Sequence, residues 1–159
     1  MRGALSPMIL ADANLLLYAY DEASPHHAGA RSWLERSLSG GDLFGLSWQT
    51  ITAFIRIITN PRAFSNPMSI EEAVGVIGDL LSHPAVVVLT PGERHWKIFR
   101  GYLIEGQAFG PLAMDAHLAA LATEHGAVLY TTDRDFTRFP ALKTLDPLKS
   151  KTSVPPQKI

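Results

Sequence analysis

The chain has no cysteine among its 159 residues, which excludes a disulfide framework, a thiolate metal site and a cysteine nucleophile. No apolar run approaches the roughly 18 to 20 residues of a membrane span, and the run at Met8–Ala11 is too short for a signal peptide. The formal net charge of −1 gives no global basicity that would indicate a nucleic-acid binder. We therefore expect a cytoplasmic protein without membrane contact. If it binds nucleic acid, it must do so through a local basic surface.

Several catalytic motifs are also missing. The sequence contains no G-x-S-x-G, G-x-x-x-x-G-K-[ST], G-x-G-x-x-G or H-E-x-x-H. A serine hydrolase of the α/β type, a phosphate-binding loop, a dinucleotide site and a zinc protease are therefore not indicated.

Short apolar runs alternate with segments of helical periodicity along the chain. This alternation predicts one α/β domain with a mainly parallel sheet of four to five strands, covered by helices on both faces. The β-branched run at Val86–Leu89 predicts a central, buried strand. The domain is expected to span residues 8–146, with residues 1–7 an extension, either an upstream start or an expression remnant, and residues 147–159 a mobile tail. The five strand candidates are Met8–Ala11, Leu43–Leu46, Val86–Leu89, Val128–Tyr130 and Ala141–Leu145.

Three aspartates fall where a predicted strand ends or a predicted helix begins: Asp12, Asp115 and Asp133. In a parallel sheet, residues beyond the carboxyl ends of the strands converge on one crevice. Carboxylate oxygens are the ligands that hard divalent cations prefer, so the three acids predict a metal site. Each acid alone is equally well explained as a helix cap, and Asp115 is expected at the start of a helix over residues 116–125.

Other polar and aromatic residues near these acids have smaller predicted roles. Asn14 is expected to orient Asp12 by a hydrogen bond, Thr131 to support the same site, and Asp135 to cap the turn that leads to Phe136. Trp48 and Trp96 could stack on bases, although packing in the core is the favoured prediction for both.

Four segments together resemble the PIN-domain ribonucleases, and among them the VapC toxins of bacterial type II toxin–antitoxin modules. They occur in the order and spacing of that family and cover essentially residues 8 to 146. The segments are Met8–Leu16, Trp48–Pro61, Asp115–Ala122 and Tyr130–Phe136.

The resemblance implies a three-layer α/β/α fold and endonucleolytic cleavage of RNA with Mg²⁺ or Mn²⁺. It also implies a small VapB-like antitoxin as partner, and homodimers are common in the family. Asp12 and Asp115 match metal-binding acids, Asp133 matches the acid after the last core strand, and Asp135 matches a frequent accessory acid.

One departure from the family pattern lies in the segment Gln49–Thr59, where many PIN domains carry a glutamate and this chain has Ala53. Arg56, one turn later, matches an arginine of a VapC subgroup and could contact an RNA phosphate. The missing acid leaves open a degenerate PIN domain that binds RNA or protein without cutting. A phosphatase of the haloacid dehalogenase type is a remote alternative, because Asn14 stands where its D-x-D motif needs an acid.

Overall fold

The computed structural model describes residues 8–149. The predicted extension at residues 1–7 and residues 150–159 of the predicted tail lie outside the described residues. Leu148, which we assigned to the tail, packs against the hydrophobic core. No helix within residues 8–149 is long and apolar enough to cross a membrane.

Five short strands form one parallel sheet, which confirms the predicted fold class. The strands are β1 (Ile9–Ala11), β2 (Phe44–Leu46), β3 (Val86–Val88), β4 (Val128–Tyr130) and β5 (Thr144–Leu145), in the spatial order β3-β2-β1-β4-β5. Strand β1 is therefore central. The prediction of a central position for the valine strand was wrong, because β3 is an edge strand and its valines are only partly buried.

Six α-helices and one 3-10 helix cover the sheet within the described part of the chain. The helices are α1 (Ala13–Tyr20), α2 (His27–Ser39), α3 (Trp48–Ile58), α4 (Ile70–Ser82), α5 (His95–Glu105), α6 (Leu112–Glu124) and the 3-10 helix Arg134–Arg138. Ser47 caps α3 and Ser69 caps α4 with a full capping box, as the sequence predicts.

Successive side chains of the central strand point to opposite faces of the sheet, as the pleat requires. Ile9 and Ala11 pack into one hydrophobic cluster, together with residues of α1 to α4. Leu10 packs into a second cluster, with residues of α5, α6 and the 3-10 helix. The fold therefore has three layers, and the carboxyl end of β1 lies between two separately packed groups of helices.

Candidate metal centre

Asp12 follows the central strand directly and is the N-cap of α1. Its Oδ1 accepts a 2.7 Å hydrogen bond from the backbone N–H of Ala13, and its Oδ2 accepts a 2.7 Å bond from the Thr131 hydroxyl. Burial raises the pKa of Asp12, the two hydrogen bonds act against this shift, and the charge of Asp133 adds to it. Asp12 is thus a cap and at the same time part of an acidic group.

Thr131 links the ends of two adjacent strands. Its hydroxyl donates to Asp12 and accepts a 3.0 Å hydrogen bond from the backbone N–H of Asp133. Our expectation that Asn14 would orient Asp12 is not met, because no hydrogen bond joins these two side chains among residues 8–149. The hydroxyl of Thr131 orients Asp12 instead.

Asp133 is the N-cap of the 3-10 helix, where its Oδ1 accepts a 2.8 Å hydrogen bond from the backbone N–H of Asp135. The predicted capping role of Asp135 was therefore wrong, since Asp133 has that role and Asp135 lies in the first turn. The prediction placed the cap two residues too late. An N-cap is the last extended residue before a helix, and that residue is Asp133, because the 3-10 helix begins at Arg134.

Asp115 is not a cap, because α6 begins at Leu112, four residues before the start at Ala116 that a cap at Asp115 would require. The predicted start of this helix at residue 116 was therefore wrong, and Asp115 lies in its first turn. Burial is the main cause that raises the pKa of Asp115 to about 6, followed by the negative charges of Asp133, Asp12 and Asp135. Arg138 acts in the opposite direction. A carboxylate that carries no capping hydrogen bond and is surrounded by other acids needs a cation when it is ionised.

The structure brings Asp115, Asp133 and Asp135 together, with one carboxylate oxygen of each within 4.8 Å of the others. Opposite ligands of an octahedral Mg²⁺ lie about 4.2 Å apart, so the spacing is close to that of a single shell. The donor set consists of oxygen atoms alone, which suits a hard divalent cation. Asp12 lies outside this set of three at that spacing, although its charge acts on Asp115.

Two residues that the sequence did not single out join helix α3 to the acids. The Thr50 hydroxyl donates a 3.3 Å hydrogen bond to the backbone oxygen of Ala11, next to Asp12. Gln49 Nε2 donates a 3.0 Å bond to the backbone oxygen of Met114, next to Asp115. The first turn of α3 is therefore hydrogen-bonded to the backbone beside each of the two acids, and no motif in the sequence predicts this.

Arg138 is a third residue that the sequence reading missed. Its guanidinium donates to the backbone oxygens of Asp135 at 3.1 Å and Gly106 at 2.9 Å. The spacing of three residues between Asp135 and Arg138 within a short helix could have predicted that the two residues are in contact. Arg56, by contrast, is exposed in the last turn of α3, roughly 10 Å along the helix from Gln49.

The sequence profile described as PIN domain matches residues 9–142. The chain belongs to the PIN-domain family. This PIN domain is 39% identical to ribonuclease VapC43 of Mycobacterium tuberculosis over 145 residues, which cover 91% of this chain and 99% of that protein. It is also 39% identical to ribonuclease VapC37 of the same species over 136 residues, 86% of this chain and 94% of that one.

Solved structures share the fold of this PIN domain at low sequence identity. VapBC-1 from nontypeable Haemophilus influenzae superposes with a TM-score of 0.65 at 22% identity, covering 89% of this chain and 99% of the other. VapC20 of M. tuberculosis, described as a sarcin-ricin loop cleaving toxin, gives 0.59 at 17% identity, covering 81% and 92%. The family membership predicted from the four sequence segments is confirmed.

Proposed function

We propose that this PIN domain is the toxin of a type II toxin–antitoxin module, a Mg²⁺-dependent endoribonuclease that acts in the cytoplasm. The observation that carries the proposal is the group of acids at the sheet edge, where the pKa of Asp115 rises to about 6. The 39% identity to proteins named ribonucleases over nearly the whole chain supports the choice of RNA as substrate.

Asp115 would hold the metal ion together with Asp133 and Asp135, whose oxygens lie within 4.8 Å of one another, and we propose Asp12 as a further metal-binding acid from the family pattern. When bound, Mg²⁺ or Mn²⁺ lowers the pKa of a coordinated water and polarises the scissile phosphate. The Thr131 hydroxyl keeps one oxygen of Asp12 in place, and the backbone N–H of Asp135 does the same for Asp133. The acids are thus positioned before a cation arrives.

Ala53 leaves the centre one carboxylate short of the usual family pattern. Asp135 is partly free to compensate, because its side chain is exposed and its oxygen lies within 4.8 Å of oxygens of Asp115 and Asp133. Arg56 remains our candidate for a contact with an RNA phosphate away from the acids.

The test is cleavage of total RNA by the parent protein and by Asp12→Asn, each with and without Mg²⁺. Asp79→Asn is the matched control, because Asp79 is an exposed acid on α4. We expect Mg²⁺-dependent cleavage by the parent and by the control, and none by Asp12→Asn. Equal cleavage by Asp12→Asn and the parent would rule the nuclease assignment out.

A second candidate is a degenerate PIN domain that binds RNA or a protein without cutting, and Ala53 is the observation that favours it. RNA binding by the parent without cleavage at any Mg²⁺ or Mn²⁺ concentration would select this alternative. Membership of the PIN family removes the haloacid dehalogenase alternative.

The proposed toxin requires a partner that silences it, and a VapB-like antitoxin is that partner. The TM-score of 0.65 to VapBC-1, at 99% coverage of that chain, supports a fold able to accept one. We place the contact on the segments 31–38 of α2 and 51–58 of α3, and a homodimer of the toxin is part of the same proposal. Co-purification of an antitoxin gene product encoded beside this chain, followed by mass measurement of the complex, tests both.

A further inference from the structure

Trp48 is the first residue of α3 and shares its first turn with Gln49 and Thr50. Those two neighbours are hydrogen-bonded to the backbone beside Asp115 and Asp12, respectively. Trp48 is therefore held at the edge of the acidic centre. The hydrogen bonds that hold it there are made by its two neighbours, Gln49 and Thr50.

The Trp48 side chain is 56% exposed, so the favoured prediction of core packing was wrong. In the first turn of α3, Thr50 is buried and Trp48 is exposed. No aromatic ring within residues 8–149 packs against Trp48. Trp96 is also exposed, at 62%, but it lies on α5 and packs edge-on against Phe99 at 6.0 Å.

A second unpacked aromatic residue precedes the helix that carries Asp115. Phe109 is 80% exposed in the turn between α5 and α6, where its backbone oxygen accepts a 3.3 Å hydrogen bond from the N–H of Leu112. The turn is anchored beside the acids, because Arg138 bonds to the backbone oxygens of both Gly106 and Asp135. Gly110 has a φ of +61°, a conformation that favours glycine and closes the turn sharply.

We propose that Trp48 stacks on an unpaired base of the RNA next to the bond that is cut, with Phe109 as a second stacking surface. The inference rests on the proposed ribonuclease function and names the residues that bind its substrate. Faces of bases in a duplex are covered by neighbouring bases, so stacking on a side chain selects an unpaired strand.

The proposed ribonuclease function makes RNA, and not a protein partner, the occupant, and the charges at this edge explain why stacking is needed to bind it. The acids at the centre repel phosphate, and Arg138 is already bonded to two backbone oxygens. The chain as a whole has a net charge of −1. A substrate that must bring its backbone to this edge needs attraction that does not depend on charge, and stacking on an aromatic ring supplies it.

The test measures binding of a labelled single-stranded RNA of about ten nucleotides in Mg²⁺, using full-length Asp12→Asn so that the RNA stays intact. Trp48→Ala and Trp48→Phe are made in that protein, and Trp96→Ala is the matched control for loss of an exposed tryptophan. We expect Trp48→Ala to weaken binding by roughly tenfold or more, Trp48→Phe to restore most of it, and Trp96→Ala to have no effect. Pre-annealing the RNA into a duplex should remove the difference between the variants.

A direct signal comes from fluorescence. With Trp96 replaced by phenylalanine, Trp33 is buried in the core and Trp48 is the remaining exposed tryptophan. Single-stranded RNA should quench its emission, and the duplex should not. Thermal melting of each variant shows whether the fold is intact.

Unchanged RNA affinity in Trp48→Ala would overturn the proposal, and so would a loss that Trp96→Ala matches. Loss of antitoxin binding with RNA affinity intact would show that this surface docks a protein, and would overturn it as well. Cleavage of RNA by the protein with Asp12 intact is measured alongside. If that cleavage persists while Trp48→Ala binds normally, the ribonuclease function stands and the stacking role alone fails.

Discussion

The Thr131 hydroxyl donates a 2.7 Å hydrogen bond to Asp12 Oδ2 and so joins the carboxyl end of β4 to that of β1. This bond lowers the pKa of Asp12 against the effect of burial. It also fixes the orientation of the Asp12 carboxylate, whose other oxygen accepts a hydrogen bond from the backbone N–H of Ala13.

Replacing Thr131 by valine keeps the shape of the side chain and removes that bond. We expect kcat for RNA cleavage to fall by roughly tenfold, the size expected from a lost hydrogen bond to a charged group. The pKa of Asp12 should rise, so the acid limb of the pH–rate profile should move to higher pH. Thr132→Val is the neighbouring control. A profile for Thr131→Val that overlays that of the control would contradict the role assigned to Thr131.

Asp115 makes the metal-free protein less stable at neutral pH than in acid. Its pKa in the fold, about 6, lies above the ordinary 3.8, so the folded state binds more protons between these values and the free energy of unfolding falls as pH rises through them. Asp115→Asn should therefore stabilise the metal-free protein at pH 7.5. Because Asp115 is partly exposed, we expect about 1 kcal/mol, or a Tm increase of about 3 °C.

Millimolar Mg²⁺ should raise the Tm of the parent protein and of Asp79→Asn at pH 7.5, and raise that of Asp115→Asn much less, because the cation neutralises the clustered acids. Differential scanning fluorimetry across a Mg²⁺ titration measures this. A parent Tm that stays constant throughout the titration would argue against a metal at these acids.

A pair of histidines joins α5 to α6, with His95 buried and His117 half-buried. The rings of His95 and His117 lie 4.7 Å apart between centroids, and burial is the main cause that lowers both pKa values. The carboxylate of Glu124, 3.9 Å from His95, opposes the shift, and the charge of His125 adds to it. Burial outweighs the attraction to Glu124, so the pair is neutral in the fold at pH 7.

Lowered histidine pKa values mean that the unfolded chain binds more protons as pH falls through 6.5, so their contribution to stability is complete above pH 6.5 and is lost below it. The urea midpoint of Asp115→Asn, in which the opposing titration of Asp115 is absent, should therefore drop from pH 7.5 to 5.5, and the other variants are made in that protein. His117→Leu should make this drop smaller, and His26→Gln, at an exposed position, should leave it unchanged. Equal pH slopes in all three proteins would count against the histidine pair.

Glu124, at the last residue of α6, holds the start of α5. Its carboxylate accepts hydrogen bonds from the backbone N–H of Gly92 at 2.8 Å and of Arg94 at 3.0 Å. Glu124→Ala removes both hydrogen bonds and should lower the free energy of unfolding by about 1 kcal/mol in urea, because the exposed donors can then bond to water. Glu93→Ala, at an exposed neighbouring acid, should cost far less. An equal loss of unfolding free energy in the two variants would contradict the role of Glu124 in holding the start of α5.

The sequence was sufficient to place Asp12 and Asp133 at one edge of the sheet, because both lie just beyond the ends of strands and strand ends are local features. Asp115 acts on the same group of acids although its helix begins earlier than the sequence predicted. The sequence could not separate an edge strand from a central one at Val86–Val88, because apolar β-branched residues suit both and the order of strands is set by pairing across the whole chain. The sequence also failed to predict the exposure of Trp48, for a similar reason. An aromatic residue beside an apolar run matches a core pattern unless the three-dimensional surroundings are known.

The bond from Gln49 to Met114 also connects two groups of helices that pack into separate hydrophobic clusters. Asp12 leads into a helix of the first hydrophobic cluster, and Asp115 lies on a helix of the second. The acids meet only when both sides of the sheet are complete. Loss of either layer of helices would therefore separate Asp12 from Asp115, so binding of a cation by the complete group of acids requires the whole domain to be folded.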